Sequence, residues 1–494
     1  MSNLPNAGLR RRLTRRRLVQ QTAGALAAAA FPIHAATPSP QISQIMARLS
    51  TYMSEAAGRK LPNEVSEKVK QLILDTFAAM ISGSELQPGQ FAIRFARGYS
   101  GEPVATVVAS NIACGPIEAA LVNGMLAHSD ETDDTHPPSQ SHPGSAAVPS
   151  ALAVGEKFGI DGTRFIRAVA LGYDVGPRVT ATLGKLQYQV ASHRSTHAIS
   201  GTFASAAAAG CAAGLNTQEM RWLLSYTAQQ ASGLASWQRD TEHVEKAFDF
   251  AGMPARNGTT AALLVQAGGT AVEDVFSGAD NFFEAFGPRN DPGMLIEKLG
   301  ERYEITRTNV KKWTVGAPIQ APLDALENLL RRSPFEAAQV KQVTVRVAAD
   351  EAGVVDNREI PDICLQHLVG IMLLEKTVSF RSAHDVARMR DPAVLRERAK
   401  VRLIHDEDLE RLMPKRVAMV EVALADGKVL TERVEAVRGT ADNPMPRAEI
   451  IAKARDLVTP VLGPTASRKL IDAVFALETI KNVRELRPLL QRIS

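Results

Sequence analysis

Every side chain from Ala204 to Ala213 is alanine, serine, glycine or cysteine. Such a run buries little apolar surface of its own. It becomes stable only where neighbouring backbones approach closely enough to make dense van der Waals contact. Alanine is also the best helix former, so the run predicts a helix at the centre of a helical bundle. The low aromatic content, 5 %, agrees with close helix packing rather than a β-sandwich.

Helical spacing recurs on both sides of that run. Leu61-Pro62-Asn63 opens a segment whose apolar positions Val65, Val69, Leu72, Ile73, Phe77 and Met80 fall on one side, and Gly83 ends it. Asp161-Gly162 precedes Phe165, Ile166, Val169 and Tyr173 at the same spacing, and Asn216 with Glu219 forms a capping box. Past about residue 300 the pattern changes. Val343, Val345 and Val347 alternate as in a strand, and residues 417–424 and 429–437 flank Asp426-Gly427, a hairpin turn. Helical stretches are expected at 363–376 and 383–400, and again from Pro446. A chain of 494 residues exceeds one ordinary core. The expectation is a mainly α protein: a large helical domain (41–280), an inserted α/β domain (281–440) and a helical return (441–494). There are no repeats, and no body segment is an apolar run of membrane-spanning length.

The net charge of +4 belongs to one end. Residues 1–36 hold six arginines (Arg10, Arg11, Arg12, Arg15, Arg16, Arg17) and no acid, more than the whole excess of 57 basic over 53 acidic residues. The near-neutral body excludes nucleic acid as an expected partner. Thr14-Arg15-Arg16-Arg17-Leu18-Val19-Gln20, an alanine-rich apolar stretch and Ala35-Ala36 have the layout of an export signal of the twin-arginine class, which carries folded proteins. The expected location is the periplasm, with a membrane anchor if the signal stays uncleaved. The cysteines (Cys114, Cys211, Cys364) are odd in number and far apart, so small buried thiols are expected rather than a disulfide framework or zinc ribbon.

The segment from Asn123 to Pro149 is the densest in chemistry. Four carboxylates (Asp130, Glu131, Asp133, Asp134) and three of ten histidines (His128, His136, His142) fall within residues 128–142, between apolar stretches. Polar loops on rigid supports are where binding groups concentrate. A solvated acidic loop, a metal site and a general acid/base site are all open to it. Zinc-helix spacing is absent and prolines interrupt any helix, so acid/base work carries most weight. Elsewhere, His193-Arg194-Ser195-Thr196-His197 precedes the small-residue helix. If that helix starts at Gly201 or Thr202, its amides favour an anion there. Lys246 precedes Gly252-Met253-Pro254, and Lys311-Lys312 stands at the join of the domains. With the loop, these lysines suggest a pocket for carboxylates.

Asn123-Gly124, Ala127-His128, Asp133-Asp134-Thr135 and His142-Pro143 together resemble the signature of the MmgE/PrpD family. Gly201-Thr202-Phe203, Arg256-Asn257-Gly258, Leu323-Asp324-Ala325 and Gly439-Thr440-Ala441-Asp442-Asn443-Pro444 extend the resemblance from about residue 45 to the C-terminus. The family includes 2-methylcitrate dehydratases, cis-aconitate decarboxylases and iminodisuccinate epimerases. The resemblance implies a helical domain with a smaller α/β lid, a homodimer, and catalysis without metal or other cofactor. It places the family's site on Glu131, where aspartate is usual, on Thr135 and on His142. A later histidine falls on His193 or His197, and two lysines on Lys246 and on Lys311 or Lys312. Thr314, Gly316 and Gln320 stand where the family often has a proline-cysteine pattern and a histidine.

The family's chemistries share one step, a carbanion-like centre beside a carboxylate. The expected catalytic set is Glu131, Thr135, His142, His193 and His197. His142, or a partner from His193 and His197, exchanges the proton while Glu131, Asp133 and Asp134 orient and tune the imidazole. Asp133, Asp134, Lys246, Lys311 and Lys312 form the expected substrate-binding side. The leading expectation is a lyase dehydrating a small hydroxylated di- or tricarboxylate or related acid. Decarboxylation or epimerisation of a similar acid, a non-catalytic periplasmic carboxylate-binding protein, and a metal-dependent hydrolase are the alternatives.

Overall fold

Several helices in this chain start where a side chain receives the amides that the first turn leaves unpaired. Asp161 accepts from the Arg164 amide (2.7 Å) to open helix Gly162–Leu183. Asn216 and Glu219 form both halves of the capping box that opens Thr217–Gln230. Helix Asn63–Gly83 follows Pro62 and places Val65, Val69, Leu72, Ile73, Phe77 and Met80 in the core. These elements belong to a computed structural model describing residues 42–287 and 290–492, so the expected export signal lies outside the described residues.

The small-residue helix runs from Thr196 to Ala213, a turn and a half earlier than Gly201 or Thr202. Ser195 is the reason: its Oγ accepts from the Ala198 amide (3.2 Å) and donates to Asp249 (2.5 Å). The capping hydroxyl at the helix start is therefore held by the protein's own Asp249. The helix packs against Gly144–Phe158, Gly162–Leu183 and Met253–Gln266. A Cβ at Gly176 would run into the Ser200 carbonyl, and one at Gly258 into Ser205. The small side chains let these backbones touch.

Short strands β1 (Ala105–Thr106) and β2 (Ala113–Cys114) pair antiparallel beside the helices. The main sheet holds β3 (Val340–Ala348), β4 (Val401–Asp406), β5 (Ala418–Leu424) and β6 (Val429–Val434), in the order β4-β3-β5-β6. β3 runs parallel to β4 and antiparallel to β5, and β5 turns into β6 through Asp426-Gly427. Gly427 adopts φ 91° there, the region glycine reaches without a steric penalty. Helix Leu365–Glu375 forms as expected. The stretch expected at 383–400 is instead broken into Phe380–His384, a 3₁₀ turn and Pro392–Arg398, because Asp385 and Asp391 cap new turns. The last long helix, Arg447–Phe475, kinks at Gly463 (φ 82°, ψ 164°) before Pro464.

Two hydrophobic cores result. One joins residues 46–310 to residues 445–490. The other is built from residues 313–437, around the sheet and helices Gln320–Arg332 and Leu365–Glu375. Phe282, Phe283, Leu295, Tyr303 and Ile305 pack in the first core. The chain is thus mainly α with a smaller α/β unit. Among the described residues no helix is long and apolar enough to cross a membrane.

Candidate active site

The loop between helix Pro116–Ala127 and helix Gly144–Phe158 is not a solvated hairpin. His128, Ser129, Asp130, Glu131, Thr132, Asp133, Asp134, His136 and His142 are all buried. Burying ionisable groups is costly unless each finds a partner, and the loop is wired accordingly. Lys311 Nζ donates to the Glu131 carbonyl (2.9 Å) and Lys453 Nζ to the Thr132 carbonyl (2.9 Å). Thr135 exchanges backbone hydrogen bonds with Asn309 (3.1 and 2.8 Å), which brings Lys311 alongside.

Asp133 is the hub. Its Oδ1 accepts from His142 Nδ1 and its Oδ2 from His128 Nδ1, each at 3.0 Å. Burial opposes its ionisation, but the two imidazoles bring its carboxyl well below the usual range. Glu131 pairs with Lys246 Nζ, and its Oε2 lies 3.4 Å from Lys311 Nζ. Burial again opposes the charge, and the two lysines override it. Lys311 also stands 3.7 Å from Asp133. With two carboxylates against two ammonium groups, the cluster is balanced before any substrate arrives.

His142, His197 and His243 are held neutral. Burial, Lys311 and His128 outweigh Asp133 and push His142 down to about 4. His197 and His243 lie well below the ordinary histidine value, through burial and then neighbouring imidazoles and Lys246. The rings surround Phe250. His197 stacks on it at 3.8 Å and 10°, His128 at 4.5 Å and 17°, one on each face, while Trp237 meets it edge-on at 4.6 Å. Phe250 reaches this place from a single π turn, Phe248–Gly252, between helices Val244–Ala247 and Met253–Gln266. Such turns insert one residue into the helical register and recur at functional sites.

The structure therefore brings Glu131, Asp133, His142, His197, Lys246 and Lys311 together. Of the remaining expected residues, His193, Lys312 and Asp134 turn elsewhere, and Thr135 stands at the edge of the cluster. His193 ends helix Lys185–Ser192 with φ 59° and is exposed, so between the two histidines only His197 faces the cluster. Lys312 turns to Glu327 (2.5 Å) and lies over the Trp313 ring. Asp134 points the other way from Asp133, to Tyr173 and the Gly144 amide, and burial and the Asp133 charge raise it to about 7. Thr135 lines an adjoining cavity of about 230 Å³ together with Arg307, Asn309 and Lys311. Gln320 is tied to Trp313 and to the Val315 carbonyl, so that segment offers no titratable group.

Four groups went unassigned in the sequence. His128 stands within the signature, with nothing in its spacing to assign it a role, and His243 lies one helical turn before Lys246, the only signal for it in the sequence. Phe250 and Trp237 carried none. A fifth feature joins the second core to the loop: His384 Nε2 lies 2.8 Å from Asp130 and 3.9 Å from Asp362.

Two groups of donors are close enough for a cation: His128 with Asp133 and His142, and His128 with Glu131 and His243. The donor chemistry does not fit one. Both carboxylates already face ammonium groups, and Asp133 is taken by the two Nδ1–H groups. A divalent ion there would displace those hydrogen bonds and stand against two lysines.

Comparison with known proteins decides the family. Residues 47–295 match the MmgE/PrpD N-terminal domain and residues 313–479 the MmgE/PrpD C-terminal domain. The chain belongs to the MmgE/PrpD family. Among the family's characterised members, a cis-aconitate decarboxylase of Aspergillus terreus is 26 % identical over 91 % of this chain and 96 % of its own length. A cis-aconitate decarboxylase-like protein of Aspergillus oryzae is 25 % identical over 92 % and 98 %. The cis-aconitate decarboxylase of Mus musculus is 25 % identical over 87 % and 90 %. The first match falls within the first core, and the second spans the second core together with helix Arg447–Phe475, which packs in the first; Asp133 and its two histidines lie within the first match.

Proposed function

We propose that the chain is a lyase that moves a proton at a carbon beside a carboxylate of a small organic acid. The observation that carries this is Asp133, a buried carboxylate orienting two imidazoles, next to two lysines that share Glu131. A neutral His142 with its Nδ1–H fixed on Asp133 presents Nε2 as a base. Lys246 and Lys311 would exchange Glu131 for a substrate carboxylate and stabilise the negative charge that grows as the proton leaves. Burial excludes water from that charge and strengthens each of these interactions.

Dehydration of a hydroxylated di- or tricarboxylate uses all of these parts. Decarboxylation of a similar acid is the second reading, favoured by the names of the relatives. Protein freed of residues 1–36, incubated with a panel of di- and tricarboxylates, tests both through alkene formation, carbon dioxide release and deuterium exchange at the α-carbon. Turnover in at least one channel is expected, unaffected by chelators, with His142→Ala about 10²–10⁴-fold slower. Silence in every channel would favour a carboxylate-binding protein. Activity abolished by EDTA and restored by zinc would favour a metal-dependent hydrolase.

A further inference from the structure

We propose that His128 is a second acid–base residue of this site, the proton donor to a departing hydroxyl, while His142 is the base at carbon. The inference rests on the lyase reading above and narrows it to elimination of water.

The two histidines are twins in one respect. Both Nδ1 atoms converge on Asp133 at 3.0 Å, so both Nε2 atoms point away from it. Their rings lie 4.9 Å apart at 72°. They differ in what surrounds them. His142 has His197 at 5.3 Å between ring centres, and the Lys311 ammonium stands by their shared Asp133, so a proton on His142 meets positive charge and apolar rings. His128 instead lies by two carboxylates. A nitrogen of His128, a nitrogen of His243 and an oxygen of Glu131 lie within 4.8 Å of one another, and Asp133 accepts from the His128 Nδ1. An imidazolium at His128 thus has two anions beside it, Asp133 and Glu131, the second paired with Lys246 and Lys311.

The Nε2 atoms of His128 and His243 are both buried without a hydrogen-bond partner. A buried polar atom left unpaired is destabilising unless something fills its place. Two such atoms, on residues grouped with Glu131 in the site, mark the place of a substrate oxygen. The Phe250 ring on the His128 face keeps that imidazole from rotating away.

The step balances as follows. His142 Nε2 takes the proton from the carbon beside the carboxylate, and the C–H electron pair becomes the second bond of the alkene. The C–O bond breaks with its pair on oxygen, which accepts the Nε2 proton of the His128 imidazolium and leaves as water. His142 then gives one proton to solvent and His128 takes one back.

The test uses the acid that wild type dehydrates, with His128→Asn, which keeps an N–H for Asp133, and His128→Gln. Alkene formation is expected to fall about 10²–10⁴-fold, while deuterium exchange at the α-carbon stays within about tenfold of wild type. The same acid with a halide in place of the hydroxyl needs no donated proton. It should be turned over by both variants at near wild-type rates, and wild type should lose the alkaline limb of its pH profile with it. That last comparison needs no folded variant. Equal loss of exchange and alkene formation in variants with native circular dichroism would overturn the assignment, as would full activity in both. So would carbon dioxide release with no dehydration of any hydroxy acid, which leaves the lyase reading standing. Wild type inert in every channel removes that reading, and this inference with it.

Discussion

Asp133 and Asp134 are neighbours with opposite fates. One collects two imidazoles and is held ionised; the other lies against Tyr173 and is raised to about 7. Their side chains leave the loop in different directions, and which of them meets the histidines depends on the helices packed around it. The sequence could therefore mark the pair but not divide its roles. Glu131 shows how much rests on single partners. Its charge is buried, and Lys246 and Lys311 together hold its carboxyl well below the ordinary range. Lys246→Ala leaves Lys311 as its one close ammonium partner, so the carboxyl rises. Losing one partner of a buried pair typically costs about 3–5 kcal/mol. The expected outcome is a lower unfolding midpoint in urea, and an acidic limb of kcat/KM moved to higher pH. An unmoved limb would show that Lys246 does not govern Glu131. The choice between His193 and His197 could not be read from spacing, because it depends on the left-handed turn at His193 (φ 59°) that ends one helix before the next begins. His128 and His243 escaped assignment for a related reason. A lone imidazole at a helix end has no periodicity to betray it.

At the scale of elements, the apolar spacing and caps made Asn63–Gly83, Gly162–Leu183, Thr217–Gln230 and the β5–β6 hairpin legible, since those signals are local. The start of the small-residue helix and the break at 385–391 were less so, because each depends on a capping side chain chosen by tertiary contacts. The π turn at Phe248–Gly252 leaves no mark in composition, yet it sets Phe250 between two histidines. A further contact between elements has a measurable consequence. Helix Phe380–His384 of the second unit presents His384 to Asp130 of the loop at 2.8 Å, with Asp362 at 3.9 Å. Burial alone would lower His384, but these carboxylates raise it to about 9. A histidine raised on folding stabilises fully below its unfolded value, about 6.5, and loses that contribution as pH climbs through 9. Wild type should therefore exceed His384→Gln in urea midpoint at pH 6. The gap should shrink through pH 7.5 and close by about pH 9.5. A gap that stays constant across this range would assign His384 a packing role instead.

The whole molecule has two cores, one wired polar loop and three cysteines that are buried and free. Such a body owes nothing to disulfide formation and can complete its core before it meets an oxidising compartment. All the residues gathered around Asp133 lie well beyond residue 36, so a leader could be removed without touching the site. We propose that residues 1–36 direct the folded protein to the periplasm through the twin-arginine route, on the strength of Thr14-Arg15-Arg16-Arg17-Leu18-Val19, the alanine-rich stretch and Ala35-Ala36. The net positive charge of the chain comes from those residues, and the body beyond them is near neutral. In a bacterial host with an intact twin-arginine system, wild-type precursor should yield a shortened form in the periplasmic fraction. Arg15→Lys with Arg16→Lys should leave full-length protein inside the inner membrane. N-terminal sequencing of the exported form should begin close to residue 37, and its turnover should equal that of protein expressed without residues 1–36. Export of the double-lysine precursor at the wild-type level would overturn the route. Full-length protein retained in the membrane fraction would show that the segment acts as an anchor instead.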